Sequence, residues 1–264
     1  MARRIVVTSG KGGVGKTTVT VGVGIELARL GYKVLLIDGD VGLNNLDVVL
    51  GIENRSVYDM ADVLEGKCRI SQALIAYDER GNLSVMPSSH AYNSEDIGTR
   101  NFRRLVARLE GHFDYILIDC PAGIEGGFHR AVSASSEALL VTQSSVSAIR
   151  DADKVLSLLA SYELDSINIV VNRVRGDMVA SGEMMGVGEV ARLLRYPPIG
   201  AVPEDDNISI YSGLGRLGEQ SSASRDSFAL IARNIAEGKR KIYDCTMPYH
   251  GLMGRLRMRL RRRA

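Results

Sequence analysis

The chain has only three cysteines, Cys68, Cys120 and Cys245, which lie far apart and form no C-x-x-C pair. An odd and sparse set argues against a disulfide framework and a structural zinc site, and for reduced intracellular thiols. No window approaches the roughly 20 consecutive apolar residues that a spanning helix needs, so the chain is not expected to cross a membrane. The start, MARRIVVTSGKGG, has only a short apolar run between its charges and a glycine-rich stretch. That reads as a strand entering a loop and not as a secretory signal. Internal repeats and low-complexity linkers are missing too, as are collagen, mucin and disordered compositions.

What is present is 264 residues, 45% hydrophobic and 24% charged, enough to bury a core as one large α/β domain or two small ones. The net charge of +2 hides an asymmetry. Residues 251–264 hold six arginines and no acid, so the rest of the chain counts 27 basic against 31 acidic residues. A slightly acidic body and a strongly basic tail suggest two parts with different partners.

Near-continuous apolar runs at 3–8, 33–37, 114–118, 137–142 and 167–171, with a weaker one at 198–202, predict strands covered on both faces. Helical patterning lies between them at about 16–30, 101–110, 147–161 and 187–195, and Gly31 ends the first as a C-cap. This alternation predicts a single α/β domain with a mostly parallel, doubly wound sheet. The domain is expected to run over 1–238, followed by a polar connector at 239–250 and a basic segment at 251–264. Pro203-Glu204-Asp205-Asp206-Asn207 reads as a loop capping a short helix, and Ser221–Ser224 as the entry to a last one.

Gly10-Lys11-Gly12-Gly13-Val14-Gly15-Lys16-Thr17 satisfies G-x-x-x-x-G-K-[ST] and stands between a predicted strand and a predicted helix. Glycines let successive N–H groups turn inward around phosphate oxygens, and the helix N-terminus adds its positive dipole end. Lys16 is then expected to reach the β- and γ-phosphates and Thr17 to coordinate Mg²⁺, with Thr18 beside it. Two further strands end in acids, at Asp38-Gly39-Asp40 and at Asp119, where a carboxylate faces the ligand crevice. A Rossmann role for Asp38 on a ribose does not fit, because the loop is not G-x-G-x-x-G. The N-K-x-D guanine motif is absent from Asn172-Arg173-Val174-Arg175, which favours adenine.

Lys11, directly after the first glycine, makes the loop resemble the deviant Walker A motif of the MinD/ParA superfamily. The resemblance extends to Asp40–Asp47, although Asn44 stands where the family has arginine, and to Asp119-Cys120-Pro121-Ala122-Gly123. Val57-Tyr58-Asp59 and Arg150-Asp151-Ala152-Asp153 carry the same flavour. It implies that Lys11 reaches the partner subunit's nucleotide in an ATP-bound dimer. By the same likeness Asp38 and Asp119 act near Mg²⁺ through water, Asp40 orients the attacking water and Gly123 senses the γ-phosphate. Asn172 would read adenine while Pro203, Glu204 and Asp205 close over it. The implied activity is Mg²⁺-dependent ATP hydrolysis that drives reversible membrane binding and positions the division septum. The implied partners are a MinC-like septation inhibitor, a MinE-like activator and an anionic membrane at the inner face of the cell. A flagellar-number regulator or a ParA-type DNA-partitioning ATPase is the alternative. Nucleic acid is not the expected partner, since a ParA-type protein needs a basic surface on its body.

The tail supplies the second half of that reading. Placed on a helix over 249–263, Tyr249, Leu252, Met253, Leu256 and Leu260 share an arc of about 100°, and Arg255, Arg257, Arg261 and Arg262 lie outside it. Arg259 borders the arc, Arg263 falls within it, and Met258 breaks the pattern on the polar side. Six arginines give at most ~6 kcal/mol against anionic lipid, and the Leu and Met side chains a few more. Ordering the segment costs a comparable amount. One tail therefore binds weakly, and two on one dimer bind far better.

Overall fold

In the first apolar run, Val6 faces one way while Ile5 and Val7 face the other, and both sides are buried. The same split divides Leu35 and Ile37 from Val34 and Leu36, and Ile116 and Ile118 from Tyr115 and Leu117. A strand whose alternate side chains enter two different cores must be apolar along its whole length, which is why these segments show no period of two. Full burial of each such side chain contributes about 1.5–3 kcal/mol.

The computed structural model describes residues 1–40, 45–78, 80–88, 97–219, 221–251 and 254. Its elements run β1 (Arg3–Thr8), α1 (Lys16–Arg29), β2 (Val34–Asp38), α2 (Asn45–Leu50), α3 (Met60–Leu64), α4 (Ile70–Ala73), β3 (Ile75–Ala76) and β4 (Leu83–Met86). They continue with α5 (Thr99–Leu109), β5 (Tyr115–Asp119), α6 (Gly126–Ser133), β6 (Glu137–Thr142), α7 (Val146–Leu159), β7 (Ser166–Val174) and α8 (Gly176–Ala180). The last are α9 (Val187–Leu194), β8 (Pro198–Pro203), α10 (Asp206–Gly213) and α11 (Ala223–Glu237). The strands form one sheet in the order β3-β4-β2-β5-β1-β6-β7-β8. All pairings are parallel except β3 with β4. The expected doubly wound, mostly parallel sheet is what forms.

Helices α5, α6, α7 and α9 cover one face through Phe102, Phe128, Leu156 and Val190. Helices α1, α2 and α11 cover the other through Val19, Leu46 and Phe228. α1 lies so close to α11 that a Cβ on Gly22 would sit 2.6 Å from the Phe228 ring. Asp59 of the Val-Tyr-Asp stretch caps α3, accepting from the N–H groups of Ala61 at 2.8 Å and Asp62 at 3.1 Å.

Residues 239–250 are polar in composition, yet they lie against the body. The buried Asn234 amide donates to the carbonyls of Ile199 at 2.9 Å and Lys241 at 2.8 Å. The Cys245 carbonyl oxygen stands only 1.8 Å from where a Cβ on Gly176 would be. Tyr249 belongs to a short 3-10 turn, Met247–Tyr249, beside α8. This corrects its assignment to the apolar face of a tail helix: its ring comes within 3.0 Å of a Cβ placed on Gly176 and so packs on the body. The other residues assigned to membrane contact, Leu252, Met253, Arg255, Leu256, Arg257, Leu260, Arg261 and Arg262, lie outside the described residues, as does Asn44. Among the described residues no helix is long and apolar enough to cross a membrane. All three cysteines are free thiols.

Candidate functional site

The loop between β1 and α1 is set by two close approaches. Gly15 has φ +95°, and a Cβ there would stand 2.2 Å from Asn172 Nδ2. Only glycine accepts that conformation without strain. At Gly10 a Cβ would fall 2.2 Å from the carbonyl carbon and oxygen of Asp151. The Arg-Asp-Ala-Asp stretch is therefore where the backbone of α7 touches the loop. Val14 is buried and its carbonyl accepts from Asn172 Nδ2 at 2.7 Å, which ties the loop to the end of β7. Gly12 and Gly13 lie exposed at the tip, and a Cβ on Gly12 would stand 3.9 Å from the Ala122 Cβ.

The two loop lysines occupy different surroundings. Lys16 opens α1 and is 9% exposed, whereas Lys11 is exposed at the rim. Asp38 and Asp119 end neighbouring strands in direct register, so their carboxylates meet at one edge of the sheet. Asp119 accepts from Thr17 Oγ1 at 2.6 Å and from Thr20 Oγ1 at 3.1 Å. Asp38 accepts from the N–H groups of Asp40 at 2.9 Å, Asn45 at 2.9 Å and Leu46 at 3.1 Å, which caps the start of α2.

Burial, and after it the charge of Asp119, pushes the Asp38 carboxyl up to about 7. Burial pushes Asp119 up to about 6, although Thr17 donates to it and Lys16 counters. Asp40 is also raised by burial, with Lys16 and Arg130 acting the other way. Two carboxylates so reluctant to ionise beside a threonine hydroxyl suit a divalent cation, which favours their charged forms. The oxygen set is the one Mg²⁺ prefers when it also keeps waters and phosphate oxygens. A nucleotide fits as well: Asn172 is 3% exposed and its Oδ1 accepts no hydrogen bond, an acceptor awaiting a donor.

Gly123 has φ +92° and open space around it, at the turn after β5. Glu204 is exposed, and its N–H donates to the Val174 carbonyl at 3.0 Å, which holds Pro203 and Glu204 beside the β7 end. The Asp205 carboxylate is engaged in the fold: it caps α10 through the Asn207 N–H at 3.0 Å and accepts from Ser224 Oγ at 2.7 Å. Sequence reading missed Thr20 and Arg130. Thr20 follows Lys16 by one helical turn, a spacing that could have revealed it. Arg130 is a single charge in a short helix and carries no such signal.

A glycine loop at the head of a helix, a buried lysine and two carboxylates at parallel strand ends define a P-loop nucleotide-binding protein. Residues 5–216 match the model of the CobQ/CobB/MinD/ParA nucleotide binding domain. The septum site-determining protein MinD of Synechocystis is 43% identical over 263 residues, covering 98% of this chain and 99% of that one. The solved MinC:MinD cell division protein complex of Aquifex aeolicus is 41% identical with a TM-score of 0.82, over 89% of this chain and 96% of that one. The Mg-ADP complex of MinD from Pyrococcus horikoshii is 29% identical with a TM-score of 0.80, over 89% and 96%. The chain belongs to this nucleotide-binding family, on the side of its septum site-determining MinD members.

Proposed function

We propose that the protein is a Mg²⁺-dependent ATPase that dimerises around ATP, holds the inner face of the cell membrane through its basic tail, and positions the division septum. The carrying observation is the contrast between its two loop lysines, one buried and the other exposed at the rim. Lys16 and the loop N–H groups bind the phosphates of the chain's own nucleotide. Lys11 is free to reach a nucleotide held by a second copy. Asn172 accepts from the adenine amino group, with Pro203, Glu204 and Asp205 closing that end. Thr17 supplies an oxygen to Mg²⁺, and Asp38 and Asp119 hold its waters. The cation neutralises charge on the phosphate oxygens. Asp40 orients the attacking water, and Gly123 senses the γ-phosphate.

By analogy with the MinC:MinD cell division protein complex of Aquifex aeolicus, the partner is MinC-like; the family resemblance adds that this partner inhibits septation, with a MinE-like activator and an anionic membrane as regulators. The ATPase domain covers 1–238, the connector 239–250 and the membrane segment 251–264. Sedimentation with anionic vesicles tests the proposal, comparing the full chain with one truncated after residue 250 under ATP, ADP and no nucleotide. ATP-dependent pelleting lost on truncation is expected. Pelleting by the full chain regardless of nucleotide refutes the switch.

One observation favours a second reading. Arg100, Arg103, Arg104 and Arg108 of α5 are all exposed, the cationic body surface that a DNA-partitioning ATPase requires. Tight, salt-sensitive DNA binding by the truncated chain would favour it over septum placement.

A further inference from the structure

Helix α6 carries a charge amid apolar neighbours. Arg130 stands among the buried Phe128, Ala131 and Val132 and is itself 3% exposed. Taking a guanidinium out of water is unfavourable unless hydrogen bonds and charges offset it. Its contacts therefore say what it does. Nη2 donates to the carbonyl of Gly39 and Nη1 to the carbonyl of Ile97, both at 3.3 Å. Gly39 is the middle residue of Asp38-Gly39-Asp40, and its own N–H donates to the Asp119 carbonyl at 2.9 Å. The residue between the two carboxylates is thus gripped twice, by β5 through its N–H and by α6 through its carbonyl.

α6 begins three residues after Gly123, and it packs back on Pro121, between Asp119 and Gly123. A Cβ on Gly127 would lie 2.4 Å from Pro121 Cγ and 3.5 Å from Arg130 Nη2. The charge of Arg130 also acts on Asp40. One side chain therefore joins the segment that carries Asp40 to the segment that follows Asp119 and carries Gly123.

We propose that Arg130 is a positioning residue for ATP hydrolysis, tying the Gly39 carbonyl to α6 so that Asp40 and Gly123 are placed together against the γ-phosphate. This rests on the reading of Asp40 as the residue that orients the attacking water. The described hydrogen bonds of the phosphate-binding loop and of Asn172 run to one another and not to Arg130, so its loss is expected to fall on turnover and leave binding of ATP intact. Misplacing a reacting group by about 1 Å can cost on the order of 100-fold in rate.

The test measures phosphate release against ATP concentration for the full chain with anionic vesicles, as wild type, Arg130→Met, Arg130→Lys and Asp40→Asn. Arg130→Met is expected to lower kcat roughly 10- to 100-fold with KM for ATP within about twofold. Arg130→Lys, which keeps the charge and reaches one carbonyl, recovers part of the loss. An unchanged kcat in Arg130→Met overturns the proposal, as does a joint failure of kcat and KM that lysine does not rescue. Should the methionine variant not fold, Arg130→Lys decides: a lowered kcat at constant KM supports the proposal and a wild-type kcat overturns it. An Asp40→Asn protein as fast as wild type overturns the reading beneath it, whatever Arg130 does. An inactive Asp40→Asn beside an unimpaired Arg130→Met overturns the Arg130 role alone.

Discussion

Replacing Asn172 by alanine separates the two tasks of one buried amide. Its Nδ2 donates to the Val14 carbonyl at 2.7 Å, while Oδ1 is buried and accepts nothing. A buried acceptor without a donor costs about 1–3 kcal/mol. An exocyclic amino group placed against Oδ1 removes that cost, whereas a keto oxygen in the same place meets it lone pair to lone pair. The wild-type chain should therefore prefer ADP to GDP by roughly 5- to 150-fold. Asn172→Ala deletes the acceptor, so the preference should fall to within about threefold. It also leaves the Val14 carbonyl without its donor, which should lower unfolding stability by about 1–3 kcal/mol. Fluorescent ADP and GDP analogues titrated in parallel give the ratio, and denaturant unfolding gives the stability. A variant that loses stability but keeps the full ADP-to-GDP ratio refutes the base-reading argument, because the amide would then serve only as a strap for the loop.

Gly10→Ala puts a methyl group 2.2 Å from the Asp151 carbonyl carbon and oxygen, so the loop must leave α7 at a cost of about 1–3 kcal/mol. Nucleotide affinity should fall at least about tenfold, and unchanged affinity in the same titration would refute the cradle geometry. The carboxyls of Asp38 and Asp119, raised to about 7 and about 6, bind protons more tightly folded than unfolded, so they stabilise the fold at low pH. That stability, about a few kcal/mol, is lost progressively as pH rises from the ordinary carboxyl value of 3.8 to about 7, and Mg²⁺–ADP should restore it. Melting curves from pH 5 to pH 8 with and without Mg²⁺–ADP check the sign, which a pH-independent difference would contradict. Burial pushes the Cys120 and Cys245 thiols up to about 12, whereas Cys68 is partly exposed. A disulfide reagent at pH 8 should modify one thiol per native chain quickly and all three after denaturation, and two fast thiols would contradict this burial.

The parts of the fold that were legible are those where the chain itself carries the constraint. Five apolar runs gave strands because both faces of a parallel sheet are buried, and a glycine loop between β1 and α1 admits little else. The stretch from α2 to β4 was not read, because helices of four to six residues and the two-residue β3 carry no usable period. Residues 239–250 read as a polar connector, since the few apolar side chains that pack on the core, Ile242, Tyr243 and Cys245, stand among charged residues and show no period, and the bond from Asn234 to the Lys241 carbonyl leaves no mark in composition. The loop and its carboxylates were legible as a set of motifs. Thr20 was missed although it lies one helical turn after Lys16, and Arg130 was not legible, because it acts through a contact between residues 91 apart in the chain, to the Gly39 carbonyl.

On the proposed function, ATP and not ADP joins two copies of this chain through Lys11. Light scattering on the eluting Asp40→Ala protein, which should hold ATP without hydrolysing it, tests that most directly. A mass that doubles with Mg²⁺–ATP, stays single with Mg²⁺–ADP and reverts to single on adding Lys11→Ala is the expected result. A chain that stays single with saturating Mg²⁺–ATP, or pairs equally with either nucleotide, contradicts it.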